Sequence, residues 1–157
     1  MTHFLVYWKS YWEDIKEGYK PSGSWSTNSK AFHQAVRRGD ILWAVISGGT
    51  EAPGTWNLIE RIQVDYTEPN PSVTKWGKWH IIGDDKKSLK FSVKSQPDMT
   101  AILWMLQFAS GTRITIKGQR LGQALQSHGF RRLADNDAVL LDAYAVTLKR
   151  KAKSIRG

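Results

Sequence analysis

Ile41-Leu42-Trp43-Ala44-Val45-Ile46-Ser47 is the run on which the fold turns. It is rich in β-branched and aromatic residues and lacks polar alternation, which predicts a strand buried on both faces. Working upstream, Ser29 to Arg38 reads as a helix, with Ser29 as N-cap and Gly39 as its stop. Gly18 to Ser29 holds Pro21, Gly23 and four serines and reads as a loop. Trp12 to Glu17 reads as a short helical turn, and Phe4 to Lys9 as a first strand. Downstream, Ser47 to Gly54 is a turn and Thr55 to Tyr66 a long third strand. Thr67 to Thr74, with two prolines, reads as a loop. Trp76 to Ile82 and Leu89 to Val93 read as strands joined by a turn over 83–87. The character then changes. Asp98 caps an apolar helix running to Ser110, with Gly111 as its stop. Thr112 to Lys117 reads as a short strand and Leu121 to Ser127 as a short helix. Asp135 caps a last helix with an apolar stripe of Val139, Leu140, Tyr144 and Leu148. Short strands with inserted helices predict an α+β fold, a small mixed β-barrel of about five to six strands covered by helices. We expect one domain over 1–148 and a basic tail or linker start over 149–157.

Composition sets the outer bounds. The chain has 157 residues, 41% hydrophobic and 24% charged, which fits one globular domain with a real core. It holds no cysteine, so disulfides and thiolate metal sites are excluded. Met1-Thr2-His3-Phe4 lacks the basic-then-apolar build of a signal peptide. The longest apolar run, Ile41 to Ile46, is too short to span a bilayer. The expectation is a soluble, cytoplasmic protein with no membrane partner. The formal charge of +9 suits a polyanion partner. Five of those charges sit in Lys149 to Arg156, and without them the chain carries +4. That tail is either a solvated helix end or linker start, or a phosphate-contacting segment.

Motifs for catalysis are missing. His3, His33, His80 and His128 lie at no metal-ligand spacing, and no HExxH is present. Ser24-Trp25-Ser26 is not a GxSxG elbow. Ser47-Gly48-Gly49-Thr50 lacks the ending of a phosphate loop. Glu13/Asp14 and Asp84/Asp85 are adjacent in sequence, so their side chains point apart. Asp135 and Asp137 read as capping residues. The sequence predicts no catalytic residue, no metal and no cofactor.

Eight tryptophans are the second signal. Trp43 and Trp104 read as core. Trp25 sits in Ser22-Gly23-Ser24-Trp25-Ser26-Thr27-Asn28, where periodicity does not explain a large aromatic. It is either an anchor folded back on the core or a stacking surface, and Trp76 raises the same question. Aromatic faces beside Lys and Arg are what unstacked nucleotides require.

The order of short motifs resembles YTH and EVE domains of the PUA-like superfamily. Phe4-Leu5-Val6-Tyr7-Trp8-Lys9-Ser10-Tyr11-Trp12 resembles the opening YTH strand that runs into Lys-Ser. Trp25-Ser26-Thr27 is similar to the Trp-Cys/Ser-Ser/Thr element of that family. Gly39-Asp40-Ile41-Leu42-Trp43 resembles an EVE strand, and Gly54 to Glu60 resembles the glycine-rich strand ending in Glu. The C-terminal half, including Gly129-Phe130-Arg131-Arg132-Leu133 and Asp137, is similar to the EVE ending. The resemblance implies a PUA-like fold that recognises a flipped modified base, N6-methyladenine or a modified cytosine, in an aromatic cage. Trp25 would stack on the base, with Trp76 or its rival Trp56 as the opposite wall. Lys9, Tyr11 and Ser26 would bond the base edge through their backbone, and Asn28 joins this set. The family's edge-reading Asn or Asp falls on Ile15 in strict register, with Asp14 one place earlier. Lys30, Arg37 and Arg38 are either phosphate contacts or a solvated helix face. The resemblance also implies a non-catalytic reader beside a nuclease or ATPase, as in modification-dependent restriction. Two alternatives stay open: a general RNA-binding PUA-like domain, and an ASCH-like hydrolase whose Lys–Glu–Arg constellation has no match here.

Overall fold

The computed structural model describes residues 1–49, 52–74, 77–114, 125, 130–148 and 152–154. Ile41–Ser47 is strand β3, and every residue but its last is buried. It is enclosed as its composition demands. To number the neighbours in chain order, β1 is His3–Tyr7, α1 Tyr11–Lys16, β2 Ser24–Thr27 and α2 Lys30–Ala35. After β3 come β4 (Trp56–Thr74), β5 (Gly77–Gly83), β6 (Leu89–Phe91) and α3 (Thr100–Met105). Strand β7 (Arg131–Arg132), helix α4 (Asp135–Leu148) and strand β8 (Ala152–Ser154) follow. β1 runs parallel to β3, with His3 opposite Ile41 and Tyr7 opposite Val45. β4 runs antiparallel along the other side.

The two faces of this central sheet bury different clusters. Leu5, Trp43, Val45 and Leu58 pack with Leu103 of α3 and Leu141 and Leu148 of α4. Phe4, Val6, Leu42, Ala44 and Ile62 pack with Phe32 of α2 and Ile81 of β5. Alternate residues of each strand thus supply opposite faces. Fully burying each such side chain contributes about 1.5–3 kcal/mol.

The α+β class holds, but the strand count and the closure need correcting. Eight strands among the described residues form one sheet in the order β2-β5-β4-β3-β1-β7, with β6 on β4 and β8 on β6. Among the described residues β2 and β7 end this path without pairing to each other, so the sheet is open rather than a barrel. The cause lies in β4, whose first part pairs β3 and β6 while its later part pairs β5. One strand therefore joins two ladders, and the other end of the path is only two residues long.

Several local expectations also shift. Thr67 to Thr74 continues β4 instead of looping. Among the described residues that stretch pairs only with β5, which leaves a side where a proline's missing N–H goes unused. The register breaks between Pro69 and Thr74, as the ring demands. Part of the expected Gly18–Ser29 loop is β2, because Ser24–Thr27 adds to the edge of β5. Ser29 does cap α2, its side chain accepting from Phe32 N at 3.1 Å. The helix stops at Ala35, since Val36 is extended and the Asp40 carboxylate takes the Arg37 N–H at 2.8 Å.

The helix expected from Asp98 to Ser110 ends at Met105. Asp137 accepts from Gln107 N at 2.7 Å and Phe108 N at 2.8 Å, drawing the chain out of helical geometry. Phe108 accordingly has a φ of 56°. Trp104, expected as core, is partly exposed. In α4 the buried stripe is Ala138, Leu141, Tyr144, Ala145 and Leu148, while Val139 is 68% exposed. Thr112 to Ile114 is not a strand. The rest of that strand, and the helix expected over 121–127 apart from Leu125, lie outside the described residues. No described helix is long and apolar enough to cross a membrane.

Candidate functional site

The site begins with a break in the β3–β4 ladder. Leu58 pairs with Val45 and Glu60 with Ala44, leaving Ile59 as one extra residue between them. Such a bulge reverses which face the following residues supply. Leu58 accordingly joins the cluster under α3 and α4, whereas Ile62 and Val64 join the one under α2. Glu60 shares the parity of Ile62 and Val64, and the bulge thus turns a carboxyl toward an otherwise apolar face.

That carboxyl forms part of the lining of a cavity of about 350 Å³. The volume falls at the small end of the range for small-ligand sites, roughly 300–1,000 Å³. Tyr7 to Ser10 line it from the end of β1, and Tyr19, Lys20 and Ser22 from the segment before β2. Ser24, Trp25 and Ser26 line it from β2 itself. Glu60 is only 1% exposed and accepts the Gly23 N–H at 2.7 Å. Burial pushes its carboxyl up to about 7, against the opposing pull of the Gly23 N–H and the Lys90 charge. Gly23 has a φ of 78°, and its carbonyl accepts from Gly83 N at 2.9 Å. A Cβ on Gly83 would lie 2.3 Å from that carbonyl oxygen, so glycine is required for the two backbones to meet.

The aromatic walls are held in different ways. The Trp8 indole N–H donates to Asp14 Oδ2 at 2.6 Å, and its ring meets Tyr11 edge-on at 5.1 Å. Ser10 Oγ donates to the same carboxylate oxygen at 2.6 Å. Trp8 is thereby oriented from beneath, as a preorganised wall needs. Trp25 is partly exposed, packs one side against the cluster under α2, and pairs through its backbone with Ile81. Ser24 and Ser26 flank it on the edge strand.

Of the residues singled out in the sequence, Trp25, Ser26 and Lys9 meet at this cavity. Tyr11 and Asp14 are buried behind it and support Trp8. Trp56 is 3% exposed in the core and packs edge-on against Tyr7 at 4.9 Å. It is no part of the cavity lining. Asn28 is exposed, and its Oδ1 accepts from Lys78 N at 3.1 Å. Trp76 lies outside the described residues. Lys30, Arg37 and Arg38 are exposed around α2. Arg37 folds onto the carbonyls of Gln34 and Val36, and Arg38 pairs with Asp65 at 3.4 Å. None of the three lines the cavity.

Sequence reading missed Glu60, Lys20 and Tyr19 as lining residues and assigned Trp8 no role. Glu60 carried a partial signal: it is the lone acid in the alternation Glu60, Ile62, Val64. Among the described residues no His, Asp and Glu side chains gather as a metal site.

No protein-family model matches the sequence, and no curated protein matches it. What the site can do therefore follows from its own residues. It offers indole and phenol groups, serine hydroxyls, two lysines, and a buried carboxyl with one backbone donor. That set can hold a flat, partly polar ring and neutralise an anion beside it.

Proposed function

We propose that this chain is a nucleic-acid-binding module of PUA-like type, a non-catalytic reader that takes a flipped, modified base into the Trp8–Trp25 cavity. The single observation that carries the reading is Trp25 in the lining of a small cavity, together with Trp8, Lys9 and Lys20. Stacking on aromatic side chains contributes about 1–3 kcal/mol per base. Two walls offset the few kcal/mol needed to extrude one. Lys9 and Lys20 are the natural partners of the flanking phosphates, and the excess positive charge of the chain adds a salt-dependent, sequence-independent attraction. Burying one methyl group is worth about 0.8 kcal/mol, and close aromatic packing extends this, so a single methyl is read at roughly 10- to 200-fold. A partner nuclease or ATPase would convert such reading into cleavage.

Binding to matched oligonucleotides at fixed salt tests this. The set comprises unmodified, N6-methyladenine, 5-methylcytosine and 5-hydroxymethylcytosine versions, as single- and double-stranded DNA and as RNA. A preference of about tenfold or more for one modified member, lost in Trp25→Ala, is the expected result. Equal, steeply salt-dependent binding to all members, unchanged in Trp25→Ala, overturns it.

A further inference from the structure

We infer that Glu60 is the edge-reading group of this cavity, and that it selects bases bearing an exocyclic amino group, the cytosine and adenine class, over their oxo counterparts. The inference rests on the base-binding reading above. Glu60 is buried to 1% exposure yet forms part of the cavity's lining. Among the described residues its hydrogen bonding amounts to one contact, the Gly23 N–H on Oε1 at 2.7 Å. No described cation pairs with it; Lys90, its cross-strand partner on β6, acts only through its field. A buried carboxyl held this way is costly, and a lone backbone N–H could be satisfied by a neutral acceptor. The remaining oxygen is what the fold itself does not use.

An ionised carboxylate accepts hydrogen bonds and cannot donate them. Facing that oxygen, the amino group of cytosine or adenine donates, while the carbonyl of thymine, uracil or hypoxanthine brings a second lone pair. Gly23 makes the side chain's orientation predictable. It pins an acceptor on Oε1, so in Glu60→Gln the amide oxygen stays on Gly23 and the amino end turns into the cavity. The variant therefore presents a donor where the native protein presents an acceptor.

The test uses two probe pairs at about pH 8, above the value near 7 at which Glu60 titrates. Oligonucleotides carry 5-methylcytosine or thymine in one pair, and N6-methyladenine or hypoxanthine in the other. In the native chain the aminated member of at least one pair should bind about tenfold or more tighter, as a charge-assisted hydrogen bond requires. In Glu60→Gln that ratio should fall below about twofold or invert. The native comparison needs no variant, so it stands even where Glu60→Gln folds poorly. Equal or weaker binding of the aminated member in both pairs overturns the inference, as does an undiminished preference in a folded Glu60→Gln. Trp25→Ala separates the two levels. If it abolishes binding of the best probe while the paired bases bind alike, the cavity reads bases but not through Glu60. If neither Trp25→Ala nor the base identity matters, both readings fall.

Discussion

Two buried carboxylates, one at the α3–α4 corner and one at the cavity, show how the same group serves different ends. At the α3–α4 corner, Asp137 is 2% exposed and accepts three backbone N–H groups, from Gln107, Phe108 and Ala134. At the cavity, Glu60 is equally buried and accepts one, from Gly23. The first carboxylate is saturated by donors that the turn would otherwise leave unpaired, and it explains why α3 ends where it does. The second is left incomplete on a face open to a cavity. Saturation marks a structural role; on the proposed reading, the unspent acceptor beside the cavity is the one that meets a ligand.

The sharpest way to break this contrast is Asp137→Ala. It strands three backbone donors, and we expect a loss of about 4 kcal/mol in urea unfolding. A loss under about 1 kcal/mol would show that the corner is held by packing instead.

Glu60 should behave in the opposite sense. Its carboxyl rises from 4.5 to about 7 in the fold, so the neutral form is favoured there. The stability this contributes is complete below about pH 4.5 and is lost as pH rises through 7. Between those limits the native chain should lose about 3 kcal/mol relative to Glu60→Gln, which stays neutral throughout. Parallel stability–pH curves for the two would mean that Glu60 is well solvated.

Trp25→Ala should cost about 2 kcal/mol of base-dependent binding and under about 1 kcal/mol of folding stability, measured by titration and by thermal unfolding. A large stability loss with unchanged binding would make Trp25 a core anchor. The smallest effect expected is at Val139, at the exposed start of α4. Val139→Ser should change stability by less than about 0.5 kcal/mol, whereas Leu141→Ala on the buried stripe should cost about 3 kcal/mol. Equal losses would show that the face of α4 is misassigned.

Much of this was legible in the sequence wherever the cause was local. The buried strand Ile41–Ser47, the Ser29 cap and the short helix after Lys9 each follow from side chains acting on their own neighbourhood. Trp25, Ser26 and Lys9 were picked out, and they do meet at one cavity. The misses share a different cause. Ser24–Thr27 is a strand only because β5 offers it an edge, and the proline stretch 67–74 is a strand only because β5 pairs with it on one side. α3 is short because Asp137, some thirty residues later, takes the N–H groups of Gln107 and Phe108 just past its end.

The sequence by itself determined the α+β class, the central strand, the positive charge and the aromatic supply. These depend on composition and on periodicity within a few residues. Only the tertiary structure decided that the sheet stays open, that α4 turns Val139 outward, and that Trp56 and Asp14 serve packing and support. It also decided that Glu60 lines the cavity. A one-residue bulge opposite Ala44 and Val45 sets which face Glu60 supplies, and a bulge exists only once two strands have paired.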